Sequence, residues 1–211
     1  MIHSLKTSLH ALVFSILMIG AVAHAESATE PTREPQAMRD SSESGDFVNL
    51  RFGALGLLIG YVNIDLEFKV SDQWSLGPTV SFWRYKGESS LFTNNEYTGQ
   101  RRAFGVRSTW SKNGAYRTGF YISPMLQIVD AKITGTGATS GSAVEAKGNG
   151  PVVSGVFGYH WFGANWNVSA GAGFVAGGPE NIEVREGTTT ENVKSSRTAG
   201  ITLDFMVGYV F

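Results

Sequence analysis

Residues 198–211, TAGITLDFMVGYVF, constrain the fold more than any other stretch of the chain. Ile201, Leu203, Phe205, Val207, Tyr209 and Phe211 are apolar and share one parity, while Gly200, Thr202, Asp204, Met206, Gly208 and Val210 take the other. Successive side chains of a strand point to opposite faces. One face of this segment is therefore apolar from end to end and finishes on an aromatic ring, and the opposite face is small or polar. Such a strand sets its apolar face against either a protein core or lipid, and the rest of the chain has to discriminate between the two.

The alternation recurs in residues 47–58, 61–70, 74–85, 97–110, 115–129, 151–162 and 165–176. In 61–70, Val62, Ile64, Leu66, Phe68 and Val70 oppose Asn63, Asp65, Glu67 and Lys69. With 198–211 this predicts eight strands. Residues 71–73, 111–114 and 162–164 read as tight turns, Asn113-Gly114 being a strong hairpin signal. Residues 86–96, 131–150 and 177–197 read as longer links. Of these, 131–150 is expected to be a flexible, nearly uncharged loop, and 177–197 a hairpin extending strands seven and eight. Short turns at one end and long loops at the other are the pattern of transmembrane barrels, and an even strand count puts both ends of the barrel on the short-turn side. Pro78 and Pro124 fall inside strands and lack a donor, which predicts a bulge or an unpaired position at each. Much of the glycine, 26 residues in all, falls on the inward parity, as suits a narrow interior.

Residues 1–25 read as a secretory signal peptide. Lys6 precedes the uncharged run ALVFSILMIGAV, which is short for a spanning helix, and Ala23-His24-Ala25 supplies a small-x-small cleavage site. The absence of cysteine excludes disulfides, thiolate metal sites, a cysteine nucleophile and a cysteine-borne lipid anchor. Residues 26–46, rich in Pro, Ser and Glu, are expected to be a disordered periplasmic leader. Removing the signal takes away Lys6 and no acid, leaving 16 basic against 18 acidic residues. That balance gives nucleic acid no electrostatic footing. No later apolar stretch is long enough for a spanning helix, so any membrane crossing falls to strands.

Tryptophan placement decides which face meets what. Trp74, Trp110, Trp161 and Trp166 lie beside the short turns, on the parity of the apolar face, and Tyr116, Tyr209 and Phe211 join them at that end. An outward ring of aromatics at one rim is an interfacial girdle, which a water-soluble barrel has no reason to build. Residues 47–211 are therefore expected to be all-β, an eight-stranded antiparallel up-and-down transmembrane β-barrel in the cell outer membrane. The inward parity collects Arg51, Asp65, Glu67, Lys69, Arg101, Arg107, Arg117 and Asp204. Eight strands leave an interior that side chains fill, and buried charges must be paired, so these residues predict a salt-bridge network plugging the lumen.

The layout and the closing strand resemble the small eight-stranded outer-membrane barrel proteins, the OmpX and OmpA membrane-domain kind, over 47–211. The resemblance implies a structural or surface-interaction role in a Gram-negative envelope, with lipid and lipopolysaccharide around the barrel. It also implies that the insertion machinery reads Tyr209 and Phe211, and that surface loops, here 131–150 and 177–197, meet an extracellular partner. The peptidoglycan-binding domain that follows the barrel in OmpA has no counterpart after Phe211. No cofactor or metal set is recognisable, and no enzyme activity is expected. Two alternatives stay open. One is a narrow ion channel, motivated by inward arginines. The other is a lipid A-modifying enzyme, since some barrels of this size are lipid A deacylases or acyltransferases that use a His with a Ser and a carboxylate. In this chain the base would be His160, which lies inward and near the periplasmic rim, without a His-x-Ser motif.

Overall fold

The computed structural model describes residues 48–88, 92–137, 141–195 and 198–211. The signal peptide and leader read at 1–25 and 26–46 lie outside the described residues. The elements are β1 (Val48–Gly53), α1 (Ala54–Leu57), β2 (Tyr61–Lys69), β3 (Trp74–Glu88), β4 (Phe92–Ser111), β5 (Gly119–Gly137), β6 (Ala143–Phe162), β7 (Trp166–Gly177), β8 (Asn181–Glu186), β9 (Thr189–Lys194) and β10 (Thr198–Val210).

β1 to β7 pair antiparallel in chain order, and β10 closes them by pairing with β7 on one side and β1 on the other. The result is an antiparallel up-and-down ring of eight strands. The seam is well formed, running from Asn49↔Val210 to Gly53↔Met206. Among the described residues no helix is long and apolar enough to cross a membrane.

Both strand prolines leave gaps in the ladder without shifting its register. β2 and β3 pair at Asp65↔Thr79 and again at Phe68↔Leu76, skipping the positions around Pro78. There Gly77 lets the Leu66 carbonyl approach to where a Cβ would stand. β4 and β5 pair at Arg107↔Met125 and again at Trp110↔Ile122, skipping Pro124. The Ser108 carbonyl, which a backbone N–H at 124 would have met, accepts instead from the Ser123 hydroxyl at 3.0 Å. Buried backbone acceptors are costly to leave unmet, and a side chain fills the place here.

Four stretches depart from the expected layout. The link expected at 86–96 is strand up to Glu88 and again from Phe92. β1 stops at Gly53, and Ala54–Leu57 form a single helical turn, because ALGLLIG drops the alternation and carries good helix formers. Residues 131–150 are strand almost throughout: β5 runs to Gly137 and β6 starts at Ala143. Residues 177–197 do form a hairpin, β8–β9, but it does not extend strands seven and eight. β8 pairs with the far end of β6, from Asn149↔Asn181 to Val144↔Glu186. Gly177 and Gly178, with φ of 115° and 130°, let the chain turn off β7 there, a backbone that L side chains rarely adopt.

The molecule thus has two storeys. The lower is the closed ring. The upper is the projecting ends of β3 to β6 continued by β8 and β9, whose inner face buries Tyr97, Ile133, Ala146, Ile182 and Val184 as an apolar core.

Candidate functional site: the charged interior of the ring

The inward parity of β1, β2, β4 and β10 aims five charged side chains at one another. The Arg51 Nη2 donates to Glu67 Oε1 at 2.6 Å and to Asp65 Oδ2 at 3.2 Å. Arg107 donates through Nη1 to Asp65 Oδ2 at 2.9 Å, through Nη2 to Asp204 Oδ2 at 2.6 Å, and through Nε to Ser123 Oγ at 2.7 Å. Asp65 is therefore shared by both guanidinium groups. Uncharged donors complete the set: Thr109 Oγ1 to Glu67 Oε1 at 2.6 Å, Tyr121 Oη to Asp204 Oδ2 at 3.1 Å, and Asn49 Nδ2 to Glu67 Oε2 at 3.4 Å. Arg51 and Asp65 are completely buried. The stem of Arg51 runs over Gly208, its ladder partner on the neighbouring β10, where any Cβ would come within 2.7 Å of it.

His160 belongs to this cluster. Its ring stacks on Tyr121 with centroids 3.9 Å apart and planes at 12°. Its Nε2 lies 3.3 Å from Arg51 Nη1. A guanidinium only donates, so the contact casts Nε2 as acceptor and places the ring hydrogen on Nδ1. Across the ladder Ser169 faces His160, buried and with its hydroxyl unpartnered. Arg51 Nε and Asp65 Oδ1 are likewise unpartnered.

Of the eight charged residues read as lumen-facing, five meet: Arg51, Asp65, Glu67, Arg107 and Asp204. Three do not. Lys69 is exposed at the end of β2 and faces Asp72 at 3.9 Å. Arg117 is exposed in the turn before β5. Arg101 is half-buried on β4, at the level of Trp83 and Ala131, away from the carboxylates. Parity reports which face a residue takes but not how far along the axis it sits. Tyr121, Ser123, Thr109, Asn49 and Asn167, whose amide donates to Asn49 Oδ1 at 2.8 Å, join the network as uncharged members that inward parity alone points to.

On the outer face at the short-turn end, Trp74, Trp161, Trp166 and Phe211 are exposed, and Trp110 and Tyr209 half-buried. Trp74 stands opposite Trp110 in the ladder, and Tyr209 lies edge-on to both Trp166 and Phe211 at 5.2 and 4.9 Å. Tyr116 does not join them. The Asn113-Gly114 turn runs on to residue 118, so strand parity fails at 116. Tyr116 takes φ 61° there, and its hydroxyl donates to the Glu67 carbonyl at 2.9 Å. Its ring leans on Phe162, which in turn meets His160 edge-on. It closes the end of the interior instead of banding the outside.

Chemically, the site is a filled polar plug with two cations against three carboxylates. No group of three or more His, Cys, Asp or Glu disposed to hold a metal ion occurs among the described residues. Comparison of the chain with protein-family models, curated proteins and solved structures finds no match.

Proposed function

We propose that the chain is an outer-membrane protein of the OmpX-like kind, a transmembrane β-barrel with a structural or surface-interaction role and a filled, charged lumen. One observation carries this reading: the ring is apolar outside and ionic inside. Phe52, Phe68, Phe82, Phe104, Phe120, Phe157, Phe174 and Ile201, one from each of the eight ring strands, are all exposed, Phe174 at 76%. Soluble monomers rarely expose contiguous apolar patches beyond a few hundred Å², and here the band encircles the ring. In the membrane it meets acyl chains and lipopolysaccharide, with the tryptophans at the rim as anchors. Tyr209 and Phe211 serve as the contact for the insertion machinery, and the upper storey carries the surface for an extracellular partner.

Neither alternative gains support from the geometry. A narrow channel needs a path past Arg51, Asp65, Arg107 and Asp204, whose side chains bond across the interior. A lipid A enzyme needs an acyl ester to reach His160, which lies buried between Tyr121 and Arg51. The test is fractionation with gel migration before and after boiling. A heat-modifiable band in the outer-membrane fraction is expected. An unshifted band recovered from the soluble periplasm would falsify the proposal.

A further inference from the structure

One interior cation stands outside the network. Arg101 lies above a belt of buried Ala103, Val129 and Val152. Its Nε is buried without a hydrogen-bond partner. Among the described residues no ion pair reaches it. Two cavities meet on this side chain and share Val152. The first, about 50 Å³, has an almost wholly apolar wall that includes Val129, Ile133, Ala146 and Ile182. The second, about 40 Å³, is the more polar and is bounded by Thr198 and the backbone of Gly177 and Gly200. Neither is lined by a carboxylate. Lys147, at the rim of the first, is already engaged by Glu145.

The buried, unpartnered Nε of Arg101 is a donor left for an anion, and the planar fork of a guanidinium matches a carboxylate. An apolar hollow on one side and a polar one on the other add a direction to that match. We propose that Arg101 and its two cavities bind a small monoanionic amphiphile, an alkyl carboxylate. Its carboxylate sits on Arg101 in the cavity beside Thr198, and its chain enters the hollow under Ile182. A cavity of the first one's size holds roughly four water-sized groups, so an alkyl chain of about four to six carbons reaches its end. The site lies inside the strands and does not depend on whether they cross a membrane.

The test uses the full chain, folded and with its isoleucine methyls labelled, titrated with hexanoate and, separately, with hexylammonium. Hexanoate is expected to shift the Ile133 and Ile182 methyl resonances saturably, and hexylammonium is not. Arg101→Gln is expected to raise the apparent Kd for hexanoate at least tenfold, with Arg101→Lys recovering part of it. Equal titration by the two probes, or by wild type and Arg101→Gln, overturns the site. If Arg101→Gln fails to fold, the two probes on the wild type decide the matter alone.

Discussion

The two storeys carry opposite polarity on their inner and outer faces. In the ring, β5 turns Phe120, Ile122, Leu126 and Ile128 outward, with Tyr121, Ser123 and Gln127 inward. Higher on the same strand the outward residues become Asp130, Lys132 and Thr134, and the inward ones Val129, Ala131 and Ile133. β6 makes the same exchange, with Glu145, Lys147 and Asn149 outside and Val144 and Ala146 inside at the top, then Val153, Phe157 and Trp161 outside and His160 inside below. The backbone does not change; only the polarity of the two parities swaps, near 129 and 151. A strand pairs in either setting because pairing is backbone chemistry, and side chains record which solvent each face meets. On the proposed reading the swap marks the level where lipid gives way to water. The upper storey is then an ordinary water-facing sheet with an apolar core.

The lower half of the comparison rests on its ion pairs, so breaking them should have the largest effect. Arg107→Ala strands Asp204 and half of Asp65 inside the ring. Removing one partner of a buried pair costs about 3–5 kcal/mol, read as a fall in the urea midpoint of the folded protein. The double variant Arg107→Ala, Asp204→Ala should recover part of that loss. A single variant that unfolds like wild type would mean that the plug fills space and little more.

The boundary itself is sharpened by placing one charge on either side of it. Leu203→Arg puts a cation on the outward face of the ring, at a cost of about 2–4 kcal/mol near a bilayer midplane. Thr134→Arg puts the same cation on the outward face of the upper storey and should stay within about 0.5 kcal/mol of wild type. Both are measured by urea titration in lipid vesicles. Equal effects would erase the distinction between the storeys.

Much of the ring was legible because outward apolar residues alternate through all eight segments, and the two prolines announced their gaps. The upper storey was hidden by the same criterion. In 131–150, Val144 and Ala146 alternate with Glu145 and Lys147, and in 177–197 Ile182 and Val184 alternate with Glu183 and Arg185. The period is there, but its polarity is reversed and glycines dilute it, so a search for apolar outward faces reads loop over 131–150, and over 177–197 reads the hairpin without its partner strand β6. The network was legible in type and overcounted in extent. Alternation assigns Lys69, Arg101 and Arg117 to the inward parity, yet depth along the axis and the true start of β5 are set by turn geometry that the period does not carry.

The smallest effect belongs to the outer surface of the upper storey. Lys132 and Lys147 stand directly opposite each other on β5 and β6, and like charges in that position repel. Glu145 relieves this by pairing with both. Hydrogen bonds from Lys132 and then from Lys147 hold its carboxyl down at about 2, and Glu145 raises the Lys147 ammonium above its ordinary value in return. A carboxyl lowered on folding stabilises the structure above its ordinary 4.5 and stops doing so as pH falls through about 2. A raised lysine holds its contribution at lower pH and yields it only as pH rises through its own folded value. The bridge should therefore persist from mildly acidic to mildly alkaline pH. Glu145→Gln at pH 7 is expected to speed amide exchange in 130–134 and 143–147 while leaving the ring amides unchanged, and wild type near pH 2 should approach the variant. If the two proteins exchange alike at pH 7, solvent alone screens the lysines, and the charged coat of the upper storey serves solubility with no part in holding β5 to β6.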